Sequence, residues 1–229
     1  MFGLTHALLS WRASACSRTT MNLVLVQSLL GQLASSDAVL SYLASISDGK
    51  IVGPDVKSYS DIVYYNYFSL GLSLQFVPAA QYKLESGLAE RDLDRSRLIL
   101  DAIDIYHAPL NPKPTSKLPF ATYPHLPVTL QLAAAAEGEE SKRPQTFEVS
   151  TSSMGKDFVE AFGEPARKGG GAGPSSGSIG IWCEWSTDGV LVEFGGDEAR
   201  GPQAWERGKD AIWRVLTIYR PKDVESTPP

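Results

Sequence analysis

The chain has little cysteine, little histidine and no excess of basic residues. Its 229 residues include two cysteines and three histidines. Two cysteines, Cys16 and Cys183, are too few for the framework of disulfide bridges that holds small secreted domains together. Cys183 lies in an apolar segment, and we expect it to be a small buried hydrophobic residue. The net charge of −5 argues against nucleic acid as the main partner, because the total indicates no basic surface.

Long apolar runs are also absent. The most apolar stretch, residues 21–34, continues into an amphipathic segment. It is diluted by four amide or hydroxyl side chains: Asn22, Gln27, Ser28 and Gln32. A membrane-spanning helix needs about 20 consecutive apolar residues, so the sequence predicts no membrane span.

Acidic residues are missing from the first 36 positions, which contain Arg12, Arg18 and many Ser and Thr residues. This composition is typical of a mitochondrial transit peptide. It is also consistent with a disordered leader over residues 1–20, with Met21 as an alternative start. We therefore expect a cytoplasmic protein, with a mitochondrial location as the alternative if the leader is a targeting extension.

What the chain does contain is two segments with the same order of parts. Apolar spacing and turn signals predict a helix, a hairpin and a further strand in each segment. In the first segment these cover residues 38–46, 62–76 and 98–107, and in the second they cover residues 154–162, 180–194 and 212–219. The sequence therefore predicts an α+β protein of two αβββ units, each a helix packed on an antiparallel β-meander. An internal duplication is the hypothesis that explains the repeated order.

Proline and polar residues mark the connections between these parts. Six prolines between residues 108 and 127 exclude both a helix and a central strand there. The predicted organisation is a disordered leader or targeting extension (1–20), a first unit with its Pro-rich connection (21–132), a polar linker (133–150), a second unit (151–222) and a disordered tail (223–229).

The C-terminal half carries motifs that mark the ends of its elements. A helix is predicted to end at Phe162-Gly-Glu-Pro165, followed by a Trp-bearing strand, Ile181-Trp-Cys-Glu-Trp185, and an alternating strand that ends at Phe194. This order resembles small bacterial α+β domains of the BamE-like and toxin-immunity-like kinds. The resemblance implies a non-enzymatic, protein-binding scaffold. Because the chain lacks a lipobox and carries long insertions, the resemblance does not imply a membrane anchor.

A glycine-rich run follows Arg167 and Lys168. A phosphate-binding P-loop places its glycines between a strand and a helix and ends in Gly-Lys-Ser or Gly-Lys-Thr. Here the predicted order is helix, loop and strand, which argues against a P-loop. Arg167 and Lys168 remain candidates for an anion site at the mouth of the loop, in a pocket between the two units near Trp182. An enzyme or small-ligand-binding protein with this anion site is the alternative function.

No catalytic residue, cofactor or metal site is predicted. Asp101, Asp104 and His107 lie on one predicted strand, but Asp104 points away from the other two. Asp101 and His107 are about 20 Å apart at the usual rise per residue. Glu184 and Glu193 are interpreted as outward charges on an exposed sheet face. The sequence therefore favours a protein that is not an enzyme.

Aromatic residues carry the main functional prediction. Tyrosines alternate across the two faces of the first predicted hairpin, and tryptophans do so in the second. An exposed aromatic sheet face is a favoured binding surface, because each ring buries a large area at small entropic cost. We therefore expect Tyr65, Tyr67, Trp182 and Trp185 to bind a protein partner. No pattern in the sequence specifies the oligomeric state.

Overall fold

The computed structural model describes residues 23–108, 120–134, 143–171 and 180–221. The predicted leader and tail lie outside these ranges. So do most of the Pro-rich connection, the Ala-Glu part of the linker and the glycine- and serine-rich residues 172–179. Statements about the structure below concern the described residues.

The described chain forms four α-helices and ten β-strands. The helices are α1 (Leu23–Leu29), α2 (Asp37–Ile46), α3 (Gly155–Phe162) and α4 (Ala204–Arg207). The strands are β1 (Asp55–Ser58), β2 (Val63–Tyr67), β3 (Leu72–Pro78), β4 (Leu98–Tyr106), β5 (Val128–Gln131), β6 (Thr146–Val149), β7 (Arg167–Gly169), β8 (Trp182–Trp185), β9 (Val190–Phe194) and β10 (Trp213–Tyr219).

Eight of these strands form one antiparallel sheet in the order β1-β2-β3-β4-β10-β9-β8-β7. Strands β5 and β6 form a separate antiparallel pair. A large antiparallel sheet with a few short helices is an α+β architecture in its broad form. Within the part of the chain that the structure describes, no helix is both long and apolar enough to cross a membrane.

The centre of the large sheet is the antiparallel contact between β4 and β10. Thr217 lies opposite Asp104 in this ladder. Each of the two strands also carries one unpaired residue where it meets its other neighbour. Asp101 of β4 is left out of the register with β3, and Arg214 of β10 is left out of the register with β9. These are β-bulges, and they bend and twist the strands that contain them.

The hairpins β2–β3 and β8–β9 turn in the same way. A 3-10 turn fills each connection, over Phe68–Leu70 in the first and Ser186–Asp188 in the second. Gly71 ends the first turn with φ 57° and ψ 38°, and Gly189 ends the second with φ 63° and ψ 40°. Glycine suits both positions, because a Cβ atom disfavours positive φ. The two hairpins therefore share one local geometry.

Each main helix begins and ends at a residue suited to that place. The Ser36 hydroxyl accepts a hydrogen bond from the Val39 amide (3.4 Å) at the start of α2. The Asp157 carboxylate accepts one from the Met154 amide (2.8 Å) at the start of α3. Such caps satisfy amides that have no partner inside the helix. Gly163 follows α3, as the sequence predicted.

One face of the large sheet packs into the hydrophobic core. Tyr65, Tyr67 and Trp185 belong to this core and are 1%, 4% and 3% exposed. The rings of Phe158 and Phe162 on α3 lie 6.3 and 5.1 Å from the Trp185 ring, centroid to centroid. The Trp185 indole also donates a hydrogen bond to the Gly163 carbonyl (2.9 Å). Helix α3 therefore covers part of this face through aromatic contacts.

Several short elements were not predicted from the sequence. Strand β1, strand β6 and helix α4 lie in segments that were interpreted as loop or linker. Arg167, Lys168 and Gly169 were assigned to a flexible loop but form the edge strand β7, which pairs with β8. Elements of three or four residues are too short for a hydrophobic period to be read, so their pairing partners decide their structure.

Candidate functional site

The second face of the large sheet is partly exposed. We call it the open face. Its side chains, from β2 across to β8, are Tyr64, Asn66, Ser73, Gln75, Ala102, Asp104, Tyr106, Val215, Thr217, Tyr219, Leu191, Glu193, Trp182 and Glu184. Nine of these side chains are half-buried and Glu193 is exposed, whereas Ser73, Ala102, Asp104 and Val215, near the centre, are buried. The open face is therefore accessible mainly around a buried centre, and Phe120 covers part of it by stacking on Tyr106.

Four aromatic residues are spread over the open face: Tyr64, Tyr106, Tyr219 and Trp182. The Tyr106 ring stacks on Phe120, with centroids 3.7 Å apart and planes 2° apart. The Tyr219 hydroxyl donates a hydrogen bond to Glu184 (2.7 Å). These contacts fix the rings in place while leaving part of each accessible. The open face is thus an aromatic surface with a defined shape.

Asp104 lies at the centre of the open face and is 8% exposed. One carboxylate oxygen accepts a hydrogen bond from the Thr217 hydroxyl (2.7 Å), and the other accepts one from the Gln75 amide (2.8 Å). Burial raises the pKa of Asp104 to about 6, because a charged carboxylate is poorly solvated there. The two hydrogen bonds lower this pKa and nearby Glu193 raises it. No described cation forms an ion pair with Asp104.

The structure does not bring Arg167 and Lys168 together at an anion site. Successive residues of a strand point to opposite faces of the sheet. Arg167 forms an ion pair with Glu184 (3.2 Å), and Lys168 forms one with Glu164 (2.7 Å). The two positively charged groups therefore lie on opposite faces of the sheet, and each already forms an ion pair with a glutamate. The two residues therefore do not converge on one anion.

Three of the four predicted partner-binding residues are not at the surface. Tyr65, Tyr67 and Trp185 are buried in the core, so the expectation that they are exposed is wrong. Trp182 does lie on the open face and is half-exposed. A strand's alternation shows that it has two faces but does not say which one is buried. Tyr64 occupies the exposed side of β2 instead.

A signal in the sequence identifies the correct face. Leu72, Leu74 and Phe76 alternate clearly with polar residues, and this apolar set must face the core. In the hairpin, Tyr67 pairs with Leu72 and Tyr65 pairs with Leu74. Cross-strand partners share a face, so both tyrosines had to be buried. The register of the hairpin, combined with this pattern, assigns Tyr64 to the open face.

Among the described residues, the other acidic groups singled out in the sequence form no catalytic arrangement. Asp101 is exposed in the bulge of β4, and a ring nitrogen of His107 lies 3.2 Å from the Trp213 carbonyl oxygen. Glu193 pairs with Trp182 rather than with Glu184.

Burial also raises the pKa of the Cys183 thiol to about 11, so it stays protonated at neutral pH. In the described ranges, no three His, Cys, Asp or Glu residues are grouped to hold a metal.

Two depressions in the described surface are open clefts. One has a volume of about 480 Å³ and lies between β6 and α3, lined by residues such as Phe147 and Glu160. The other has a volume of about 450 Å³ and lies at the border of the open face, beside Tyr59, Asp61 and Tyr64. Small-molecule sites usually enclose most of the ligand. Neither cleft has that form.

No family model matches the chain, and no significant match is found among curated proteins or solved structures. The resemblance of the C-terminal half to BamE-like and toxin-immunity-like domains therefore stays a prediction. Function is inferred from the geometry of the open face.

Proposed function

We propose that this protein is a non-catalytic interaction module that binds a protein partner through the open face. The observation that carries this proposal is a wide sheet face on which four aromatic residues, Tyr64, Tyr106, Tyr219 and Trp182, remain partly exposed. Tyr and Trp supply much of the binding energy in protein interfaces, because they bury large areas and lose little side-chain entropy. The aromatic surface predicted from the sequence is retained in this proposal, with Tyr64, Tyr106 and Tyr219 joining Trp182.

The alternative of an enzyme or small-ligand-binding protein has less support. Its anion site required Arg167 and Lys168 to converge, and they point apart. The two clefts described above are open, and Trp182 lines neither of them. Both oxygens of Asp104 are engaged by neutral side chains of the sheet itself. We therefore favour binding over catalysis.

We also infer that the two halves of the sheet are copies of one ancestral unit. The strand order reads the same from either edge if β1, β2, β3 and β4 are matched to β7, β8, β9 and β10. The amide of Tyr106 donates to Gly71, and the amide of Tyr219 donates to Gly189, both at 2.9 Å. The segments before α2 and α3 also bridge the starts of the matched strands, Leu33 to Ile99 and Met154 to Ile212. Each copy then has one more edge strand than the predicted αβββ unit.

This duplication accounts for the distribution of aromatic residues. Tyr64 lies seven positions before Gly71, and Trp182 lies seven positions before Gly189. Tyr106 and Tyr219 are matched by their hydrogen bonds to these glycines. Each copy therefore supplies one aromatic residue near the outer part of the open face and one near its centre. A partner that spans the open face would contact two equivalent pairs of aromatic residues, Tyr64 with Tyr106 and Trp182 with Tyr219.

Site-specific photo-crosslinking tests the proposed function. A benzophenone amino acid would replace Tyr64 or Trp182 on the open face, or Val159 on the exposed side of α3 as the control. The variants would be expressed in the cells from which the chain comes and irradiated. We expect one shared protein adduct from positions 64 and 182 and none from position 159. Adducts from position 159 alone would place the interaction elsewhere and contradict the proposal.

A further inference from the structure

Carboxylates outnumber their cationic partners on the open face. Arg167 is paired with Glu184 at one side of the sheet. Asp104 and Glu193 form no ion pair with any described residue. Arg214 directly precedes Val215 in the bulge of β10, and Asp101 is exposed in the bulge of β4. Neither forms an ion pair with Asp104 or Glu193, which are therefore carboxylates of this face without an ion-pair partner among the described residues.

These two carboxylates flank the central strand β10. Asp104 is opposite Thr217 on one side of β10, and Glu193 is opposite Val215 on the other. With neighbouring strands about 4.8 Å apart, the two α-carbons are roughly 12 Å from each other. Tyr106 also lies opposite Val215, so its ring borders the same area. We call this area, formed by Asp104, Tyr106, Val215 and Glu193, the carboxylate patch.

Its chemistry suits one kind of side chain. A guanidinium group is planar, stacks on aromatic rings and donates hydrogen bonds to carboxylates along its edges. Val215 offers an apolar floor for the aliphatic part of an arginine side chain. The Tyr106 ring is held by its stack on Phe120, so this side of the patch is pre-organised. The pKa of Tyr106 is raised by its burial and then by the charges of Asp104 and Glu193, and the charge of Arg214 lowers it in part.

Building on the proposed function, we infer that the carboxylate patch binds an arginine side chain from a basic segment of the partner. The guanidinium lies against Tyr106 and pairs with the exposed Glu193, and its charge also acts on Asp104, which is 8% exposed. Neither acid has an ion pair with a described residue, and the guanidinium supplies one. The flanking aromatic residues bind the neighbouring apolar parts of the same segment.

The inference implies that binding depends on pH. The groups that face Asp104 are Glu193, Tyr64 and Tyr106, with neutral Gln75 and Thr217 as its hydrogen-bond donors. Arg214 acts on Tyr106, whose pKa it lowers, and is not among the groups that shift the pKa of Asp104. A bound guanidinium favours the charged carboxylate, so affinity is full above the pKa of about 6 and falls as the pH drops below it. The tyrosines stay neutral throughout this range.

Fluorescence polarisation with the full chain tests the inference. The probe is a short labelled peptide of alternating arginine and serine, compared with the same peptide carrying citrulline, a neutral analogue of arginine. We expect the citrulline peptide to bind about tenfold more weakly, since it loses the charge-assisted hydrogen bonds. Equal affinity for the two peptides, or no binding of the arginine peptide, would overturn the inference.

A pair of matched variants locates the binding. Glu193→Gln removes a carboxylate from the patch, and Glu160→Gln removes an exposed one from α3. We expect Glu193→Gln to weaken binding of the arginine peptide about fivefold and Glu160→Gln to leave it unchanged. Equal effects of the two variants would mean a diffuse electrostatic attraction and no patch. If photo-crosslinks from positions 64 and 182 persist while arginine shows no preference, the proposed function stands and only this inference fails.

Discussion

Asp104 combines two properties that rarely occur in one residue. It is almost fully buried, and it has no cationic partner among the described residues. Buried carboxylates are usually paired, because an isolated charge is costly to remove from water. Here two neutral donors, Gln75 and Thr217, offset part of that cost. Asp104 thus lowers the stability of the fold and has no described cation beside it. It is therefore a suitable position for a cation that belongs to a binding partner.

The pH dependence of stability follows from this environment. The pKa of Asp104 is about 6 in the folded protein, against an ordinary value of 3.8. The folded state therefore holds the proton more tightly, so the contribution of this group to stability is full below about pH 4 and is lost as the pH rises through 6. We expect Asp104→Asn to stabilise the protein by up to about 3 kcal/mol at pH 7 and to have little effect at pH 4.

Urea denaturation of Asp104→Asn at both pH values measures this effect. The amide of an asparagine can accept from Gln75 and donate to the Thr217 hydroxyl, so the hydrogen bonds are kept in number. The exposed neighbour gives a matched control, Asp101→Asn, which we expect to change stability by less than about 0.5 kcal/mol. A loss of stability in Asp104→Asn that is the same at both pH values would contradict the assigned environment.

At the scale of elements, the hairpin turns determine how the strands meet. Gly189 has positive φ, and a Cβ atom placed there would lie 2.1 Å from the Tyr219 carbonyl oxygen. Gly49, after α2, also has positive φ but has no atom within 4 Å of that position. The two glycines therefore share the conformational requirement and differ in the space around them.

Replacing each glycine by alanine separates these contributions. We expect Gly49→Ala to cost about 1 kcal/mol, the usual penalty for a left-handed residue with a side chain. Gly189→Ala should cost at least about 3 kcal/mol, because the turn must also move away from β10. Chemical denaturation of the two variants gives the comparison. Equal losses would show that the turn relaxes freely and that the close approach is unimportant.

Turns and long strands were the predictable part of this fold. Asp188-Gly189 and Gly163 gave the second hairpin and the end of α3, because glycine marks positive φ and helix ends. The strand predicted over residues 98–107 is β4, since a long apolar run needs no pairing information. The short strands β1, β6 and β7 were missed, because their three or four residues carry no readable period.

The candidate site was only partly predictable. An aromatic surface on the hairpins followed from composition, but the buried face was assigned wrongly for Tyr65 and Tyr67. The importance of Asp104 could not be read from β4 alone, since its donors come from β3 and β10. Contacts between strands far apart in sequence require the sheet order, and the sequence did not specify that β4 and β10 are neighbours.

At the scale of the whole molecule, the outer and inner strands of the sheet differ in character. The outer strands β1 and β7 are short and carry Lys57, Arg167 and Lys168, which discourages pairing with other chains. The inner strands β4 and β10 are longer and pair with each other. Separating the halves would therefore expose the edges that are least protected.

Production of residues 143–229 as a separate polypeptide tests this expectation. It would contain β10 without β4 and present a long apolar edge with open hydrogen-bonding groups. We expect dimers or larger assemblies, measured by light scattering at several concentrations. The full chain under the same conditions is the reference. A stable folded monomer of the separate half would show that β10 does not depend on β4.

The ladder between β4 and β10 has a further consequence if the halves descend from one unit. In a pair of identical chains, the positions of Asp104 and Thr217 would be occupied by the same residue twice, and two facing aspartates would repel. Fusion into a single polypeptide removes that restriction. After fusion, the two equivalent positions could differ in sequence. One then carries Asp104, and the other carries Thr217, whose hydroxyl donates a hydrogen bond to Asp104.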